Sequence, residues 1–364
     1  MVSAIAKICT GTAASLIAIA MLVQAAIATP QSFSQWCQAQ STLPIPARQT
    51  IAAAMAVVEQ TDCQQAEAQL QALDQLDLGQ QEVSDLRPLA SLTNLKTLKL
   101  FGNNISDISP LSSLTKLTHL NLSHNRLSDI SAIAPLTNLS YLDLAGNRIT
   151  NISPLENLSG LNDLNLLNNR VEDITPVSGL ENLVWLELSG NHIKDISSLE
   201  NLSYLKHIGL ASNRIQDLSP LTHLDWLQGL NLSNNQLENI MPLSNMIYLD
   251  ALMLGDNKLV DLTPIGSMES LVSLSLENNL ISDVSPLANL DNLTQLNLSG
   301  NKLSNLSALS TLTQLKWLDL DSNQVTDMSP LANLSALQFL DLSGNRVSAA
   351  NLPASLNSVR NLQL

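Results

Sequence analysis

The fold of this chain is decided by the segment Leu95-Lys-Thr-Leu98-Lys-Leu100-Phe-Gly-Asn103-Asn-Ile105 and the eleven residues after it, up to Lys116. This 22-residue pattern then begins again, and its ninth residue is asparagine in every copy from Asn103 to Asn345. Twelve copies follow one another without an inserted or deleted residue. A degenerate copy, with Gln81 in place of asparagine, precedes them, and a fragment with Val359, Leu362 and Leu364 follows. A fixed period of this length indicates a solenoid.

Each repeat alternates buried and exposed positions in a fixed order. With Leu95 as position 1, the apolar positions are 1, 4, 6, 11, 14, 17 and 20. Positions 4 and 6 share one face of a short strand, so positions 3, 5 and 7 are expected to face solvent. One repeat alone cannot bury enough apolar surface to offset the entropy of ordering it, but stacked repeats share a core. The asparagine at position 9 is expected to bond the backbone of its own and the adjacent coil.

Composition limits the compartment and the class of partner. The chain has 364 residues, a formal charge of −15 and 3% aromatic residues. Such acidity argues against nucleic acid or an anionic membrane as partner. Residues 1–28 are typical of a secretory signal, with Lys7 as the only charge and Ala26-Ile27-Ala28 as a cleavage site. An uncleaved anchor is the alternative, and no membrane span is expected after signal removal.

The cysteines agree with export. Cys9 lies inside the predicted signal, which leaves Cys37 and Cys63. An even pair in an exported chain predicts one disulfide, with a metal pair or two free thiols as alternatives. We therefore expect a secreted or periplasmic protein.

The chain divides into four predicted parts: the signal at 1–28, a helical N-terminal cap at 29–72, the repeats at 73–348, and a closing half-repeat at 349–364. Short helices are predicted at 32–40, 47–59 and 63–70, with Pro44 and Pro46 between the first two. The first coil of a solenoid exposes its core and needs a cover, which these helices would supply.

The segment after each strand is also regular. Position 13 is usually aspartate, as at Asp107, and positions 15–17 often read Ser-Pro-Leu, as at Ser109. Serine or threonine as a cap, with proline as the first helical residue, predicts a short helical turn on the convex side. The aspartate before it is expected to accept free backbone N–H groups of this turn. Position 10 is frequently basic, as at Arg126, and we expect it to form ladders of weak surface ion pairs with position 13.

The repeat phrasing Asn-x-Ile/Leu-x-Asp-Ile/Leu-Ser-Pro-Leu-x-x-Leu-Thr-x-Leu, at an unbroken 22 residues, resembles the bacterial internalins. Their repeat class is shared with the leucine-rich regulatory subunit of type-1 protein phosphatase, whose intracellular role does not fit a secretory signal. The resemblance covers about residues 73–348. It implies an α/β leucine-rich-repeat solenoid, a curved horseshoe with parallel strands on the concave face and short helical turns on the convex face. Internalins are secreted or surface-attached and grip a protein with concave aromatic residues.

Positions 3, 5 and 7 define the concave face. Half of the chain's ten aromatic residues fall on these positions, beside several carboxylates. Rigidly held, solvent-facing aromatics are typical anchors of binding interfaces, although a random scatter of surface aromatics is the alternative. The predicted partner-binding residues are Phe101, Tyr141, Asp143, Trp185, Glu187, Trp317, Asp319, Phe339 and Asp341. The partner is predicted to be a protein with a basic or amide-rich surface, bound by a monomer.

A second aromatic patch is predicted on one flank. Tyr204, Trp226 and Tyr248 each precede the first leucine of three successive repeats. Because neighbouring strands lie about 4.8 Å apart, the three rings are expected to stack. Packing among themselves and a second contact site are both open interpretations.

Enzyme chemistry is not expected. His119 and His207 share a column but lie four coils apart, and no nucleophile–base pair, phosphate loop or metal-spacing motif occurs. We expect no cofactor and no metal, with Asp319, Asp321 and Asp341 left open as a weak cation site. Two functions remain: an exported protein-binding module, or a structural or envelope-associated repeat protein without a dedicated partner.

Overall fold

The computed structural model describes residues 30–364, which form three short helices followed by one sheet of 14 parallel strands in chain order. The predicted secretory signal lies outside the described residues. The helices are α1 (Phe33–Gln38), α2 (Ile45–Val57) and α3 (Cys63–Ala72). Each strand has three residues, and the strands are β1 (Gln75–Asp77), β2 (Thr97–Lys99), β3 (His119–Asn121), β4 (Tyr141–Asp143), β5 (Asp163–Asn165), β6 (Trp185–Glu187), β7 (His207–Gly209), β8 (Gly229–Asn231), β9 (Ala251–Met253), β10 (Ser273–Ser275), β11 (Gln295–Asn297), β12 (Trp317–Asp319), β13 (Phe339–Asp341) and β14 (Asn361–Gln363).

The strands pair residue for residue at the sequence period. Thr97 lies beside His119, and His119 lies beside Tyr141, so equal repeat positions form straight columns across the sheet. The apolar positions make one continuous core, in which leucines such as Leu98 and Leu100 are fully buried. The leucine-rich-repeat solenoid predicted from the sequence is therefore confirmed.

The asparagine at position 9 joins each coil to the one before it. The Asn213 amide donates to the carbonyls of Leu188 (3.0 Å), Leu210 (3.1 Å) and Ala211 (3.2 Å), and its Oδ1 accepts from the Ile193 N–H at 3.0 Å. The same set of bonds recurs along the column from Asn103 to Asn345. The predicted structural role of this column is confirmed, because each side chain satisfies backbone groups that water cannot reach.

Position 8 turns the backbone into the left-handed region in every repeat, from Gly102 (φ 65°) to Gly344 (φ 68°). Asn168 and Gly190 occupy this position in adjacent coils. A Cβ at Gly190 would meet the Asn168 side-chain amide, so the glycine leaves room for that side chain.

Of the two predicted contacts at the start of the convex turn, the aspartate's is confirmed and the serine cap is wrong. In the 3-10 turn Ser109–Ser113, Ile108 holds the cap position and makes no side-chain cap bond. The Asp107 carboxylate instead accepts the Ser109 N–H at 2.8 Å. The aspartate, rather than the serine hydroxyl, therefore satisfies the first free amide of the turn, as an Asx turn does.

The predicted ion-pair ladders are wrong. Within residues 30–364 the ion pairs are Arg87–Asp85, Lys96–Asp74, Lys99–Asp77 and Lys258–Glu238, and none joins position 10 to position 13. The physical reason is that the position-13 carboxylates are turned toward the backbone N–H two residues later.

These convex carboxylates predict a specific response to acid. Hydrogen bonds lower the pKa of seven of them. At five, the backbone N–H of the serine two residues later has the largest effect and its hydroxyl the next; these five are Asp129, Asp195, Asp217, Asp283 and Asp327. At Asp173 and Asp261 the hydroxyl of the threonine two residues later has the largest effect on the pKa and its backbone N–H the next. A depressed folded-state pKa adds stability above the unfolded value of about 3.9, and that stability is lost as the pH falls below it.

Asn151 and Asn305 supply the matched control, since they make the same backbone bond at 2.9 Å without a charge. A variant with asparagine at all seven positions should stay folded at neutral pH and lose less stability than the parent below about pH 4. Acid unfolding followed by circular dichroism measures this. An equally steep loss in both proteins would contradict the assignment.

The cap covers the first coil, as predicted. Cys37 and Cys63 form the predicted disulfide, with their Cα atoms 5.6 Å apart, and it joins α1 to α3. Trp36 is 6% exposed, and the Arg87 guanidinium lies 5.1 Å from its ring centroid. The second helix begins earlier than predicted, at Ile45, because Pro46 is tolerated in a first helical turn. Within the described residues no helix is long and apolar enough to cross a membrane.

Candidate functional site

The concave face contains two adjoining grooves between Trp185 and Trp317. The first, of about 260 Å³, is lined by Trp185, Glu187 and the backbone of Gly209 and Gly229. The second, of about 380 Å³, is lined by residues that include Ser273, Glu277, Gln295 and Trp317. Met253 lines both grooves. The span from β6 to β12 is six strand steps, or roughly 29 Å.

Small residues form the floor of the first groove. Gly209, Gly229 and Ala251 occupy positions 5, 3 and 3 of their repeats, where other repeats carry large or charged side chains. A Cβ at Gly209 would collide with the Glu187 carboxylate, which therefore lies over this glycine. Because these side chains are small, the concave surface is recessed here, and the side of Trp185 that faces the next coils borders the groove.

Trp317 and Phe339 form a rigid pair at the other end. They are direct neighbours in the β12–β13 register, and their rings stack with centroids 5.1 Å apart and an interplanar angle of 10°. Both side chains are half-buried on the sheet rather than inside the core. An offset stack of this kind fixes both rings at little entropic cost to a partner.

The rings of Tyr141 and Phe101 each pack against a neighbouring coil. The Tyr141 ring stacks on His119 at 5.9 Å, and burial raises the pKa of its hydroxyl, so it stays neutral. The Phe101 ring lies where a side chain at Gly79 would be, so one of its faces packs on the degenerate first coil. Both residues are half-buried, as Trp185 is.

The position-5 side chains have a structural task that sequence analysis missed. Glu187, Asp319 and Asp341 each accept the backbone N–H two residues later, at 2.8, 3.0 and 2.8 Å. Asn121 makes the same bond at 3.0 Å, and the alternation of Asp and Asn at this position was the available clue. Asp143 also makes this bond and is 8% exposed. The structure thus corrects the expectation that Asp143 faces solvent.

The concave face carries uncompensated negative charge. Its lysine, Lys99, is paired with Asp77 at 3.4 Å, and no ion pair among residues 30–364 involves Glu187, Asp319 or Asp341. Burial raises the pKa of Asp319, and nearby carboxylates raise it further, against a hydrogen bond from the Asp321 backbone that lowers it. Ionised Asp319 is therefore a group that a cation would stabilise.

A cation site receives no support from the described residues. No group of three or more His, Cys, Asp or Glu side chains within 30–364 is arranged to hold a metal ion. Asp319, Asp321 and Asp341 lie near one another, but their oxygens accept backbone or hydroxyl hydrogens, as in the bond from the Ser322 hydroxyl to Asp321.

The flank patch is exposed and only partly stacked. Tyr204, Trp226 and Tyr248 are 67%, 62% and 48% exposed. Trp226 and Tyr248 lie parallel, with centroids 5.2 Å apart and an interplanar angle of 4°. The predicted three-ring stack is thus a two-ring stack, and the ring contacts of the described chain include none for Tyr204.

Comparison with known proteins places this geometry among leucine-rich-repeat proteins. The profile described as "Leucine Rich repeats (2 copies)" matches residues 93–135, 137–179, 181–223 and 313–362, and a "Leucine rich repeat" profile matches 269–325. No curated protein sequence matches the chain.

The solved structures that are similar to the chain include two internalins and a plant receptor ectodomain. An internalin, InlF, from Listeria monocytogenes is 35% identical over 89% of this chain and 98% of that one, with a TM-score of 0.83. The ectodomain of the plant receptor kinase GASSHO1/SCHENGEN3 from Arabidopsis thaliana, in complex with CASPARIAN STRIP INTEGRITY FACTOR 2, is 28% identical over 77% of this chain and 36% of that one (TM-score 0.65). The functional domain of InlJ from Listeria monocytogenes, 22% identical over 90% of this chain and 80% of that one (TM-score 0.66), shares the fold.

Proposed function

The chain belongs to the internalin-like leucine-rich-repeat proteins, and from this premise we propose that it is an exported module that recognises a protein partner through its concave face. Leucine-rich-repeat solenoids are protein-binding modules, and a similar plant ectodomain was solved with its ligand bound. We propose that the chain acts as a monomer in a secreted or periplasmic setting, to which the Cys37–Cys63 disulfide is suited.

The observation that carries the proposal is the placement of Trp185 and Trp317. Two half-buried tryptophans border a low groove on a sheet held rigid by the asparagine column. Aromatic anchors beside fully formed grooves are the usual hot spots of protein interfaces. The distance of roughly 29 Å between their strands suits a protein surface better than a small metabolite.

The charge of the face indicates the partner's chemistry. Glu187 and Glu277 line the grooves, and Asp319 and Asp341 follow in the next two strands of the same column as Asn297, which lines the second groove. None of the four has a basic neighbour in ion-pair distance among the described residues. A partner that presents lysine, arginine or amide groups would lower the electrostatic energy of this cluster. Electrostatic complementarity acts mainly on the association rate.

Affinity capture with a matched control tests this proposal. The chain and its Trp185→Ala/Trp317→Ala variant are used to capture partners from periplasm and medium, and the bound proteins are compared. Truncation of two hot-spot tryptophans should weaken the binding of the specific partner by at least about 30-fold. The control is Met241→Ala/Val260→Ala, which removes side chains that are 53% and 56% exposed but lie off the concave columns.

Two results would contradict the proposal. One is an unchanged capture profile in a variant that is still folded by circular dichroism, which would favour the structural or envelope-associated alternative. The other is an association rate that does not fall between low and high salt, since an acidic face that attracts a basic partner must be screened.

A further inference from the structure

At repeat position 22, just before the first leucine, four repeats of this chain carry an asparagine that makes the same hydrogen bond. Asn94, Asn138, Asn182 and Asn292 occupy it and donate a side-chain hydrogen bond to a backbone carbonyl of the preceding coil, at 2.8–3.1 Å. These four bonds lie outside the core, each in a repeat that is not adjacent to another of the four. Asparagine is thus a residue that can stabilise the contact between coils at this position.

Three consecutive repeats replace that asparagine with an aromatic ring. Tyr204 and Trp226 are 67% and 62% exposed and Tyr248 is 48% exposed, and none of them has the side-chain amide that makes this bond. An exposed ring gains little from the hydrophobic effect, so stability of the solenoid does not explain these residues. Ile247, 48% exposed, extends the same apolar surface.

The surroundings of the rings define what could bind there. A groove of about 410 Å³ lies beside Trp226 and Tyr248 and is also lined by Thr222, Asp225 and Asn245. Repeat position 21 carries an exposed carboxylate at Asp225, which directly precedes Trp226, and further exposed carboxylates in repeats on either side, at Glu181, Glu269 and Asp291. Lys206 is the only lysine or arginine at positions 21, 22 and 2 in this stretch.

We propose that Tyr204, Trp226 and Tyr248 form a second docking surface, separate from the concave face, for an arginine-bearing segment of a protein partner. A guanidinium is planar, stacks on aromatic faces and pairs with carboxylates, so it matches both the rings and Asp225, the carboxylate that lines the groove beside them. The chain itself shows the contact, because the Arg87 guanidinium lies 5.1 Å from the Trp36 ring centroid in the cap.

The first test separates docking from packing. In the variant Tyr204→Asn/Trp226→Asn/Tyr248→Asn, each ring is replaced by asparagine, which hydrogen-bonds the preceding coil from the same position in four other repeats. We expect an equal or higher midpoint of thermal unfolding, because new inter-coil hydrogen bonds become available. A midpoint several degrees lower would show that the rings stabilise the solenoid, and it would overturn the proposal.

The second test measures recognition at the patch itself. In a Trp185→Phe/Trp317→Phe background, exposed Trp226 dominates the response of tryptophan emission to ligands, since Trp36 is 6% exposed. A tryptophan-free peptide of alternating arginine and glycine should change this emission saturably. The neutral citrulline peptide, and the arginine peptide with added Tyr204→Asn/Tyr248→Asn, should each bind at least about tenfold more weakly.

Four outcomes would overturn the assignment of the occupant. Equal binding of the arginine and citrulline peptides, or no saturable change, would exclude guanidinium recognition. A blue shift of Trp226 emission with phosphatidylcholine vesicles, without a response to peptide, would assign the patch to a membrane. Self-association in sedimentation that is lost in the triple asparagine variant would assign it to a second copy of the chain.

Discussion

Replacement of Asn213 by alanine is expected to lower the free energy of unfolding by about 3–5 kcal/mol, because it leaves several buried backbone groups without a partner. The Ile193 N–H loses its acceptor, and the carbonyls of Leu188 and Leu210 lose a donor in a region closed to water. Each unsatisfied group costs about 1–3 kcal/mol. Urea unfolding followed by circular dichroism measures the change.

The matched control is Asn201→Ala, because Asn201 is exposed on the convex side and lies outside the column. We expect it to change the free energy of unfolding by less than about 0.5 kcal/mol. In a solenoid the Asn213 defect also interrupts the contact between neighbouring coils, so unfolding should become less cooperative. Equal effects of the two substitutions would contradict a structural role for the column.

Removal of the Cys37–Cys63 bond is expected to destabilise the cap by about 3.5 kcal/mol in the chain-entropy model, given its separation of 26 residues. The variant is Cys37→Ser/Cys63→Ser. In a background in which Trp185, Trp226 and Trp317 are replaced by phenylalanine, the remaining Trp36 reports the event, since it is buried in the cap against Arg87. Its fluorescence transition should move to lower denaturant concentration, ahead of the circular dichroism of the repeats.

A reductant supplies the control for this experiment. It should shift the Trp36 transition of the parent to the position found for the serine variant, and it should leave that variant unchanged. A shift below about 1 kcal/mol would show that packing of α1 and α3, rather than the cross-link, holds the cap on the first coil.

Most of the fold could be predicted because one pattern is repeated twelve times. The period set the strand register, and the apolar positions set the core, so residues such as Leu98 and Asn103 could be placed from sequence alone. The bond from the aspartate to the backbone of the convex turn was predicted correctly, as Asp107 shows. The serine cap and the ion-pair ladders were predicted incorrectly, because both depend on side-chain direction.

The columns of residues that form the candidate site could be predicted from the sequence, but the shape of its surface could not. Period 2 within a strand places Trp185 and Trp317 outward, and the structure has both half-buried on the sheet. The low floor at Gly209 and Gly229 and the structural bond of Asp143 emerge only from adjacent coils seen together. The partner-binding role of these residues stays a prediction.

Hydroxyl-radical footprinting of the captured complex tests the central claim, that the concave face grips the partner, most directly. Oxidation of Trp185 and Trp317 should fall several-fold when the partner is bound, because hot-spot side chains are desolvated in an interface. Met241, which is 53% exposed on the convex turn Met241–Leu243, should react as before. Protection of Met241 with unchanged oxidation of both tryptophans would contradict the account.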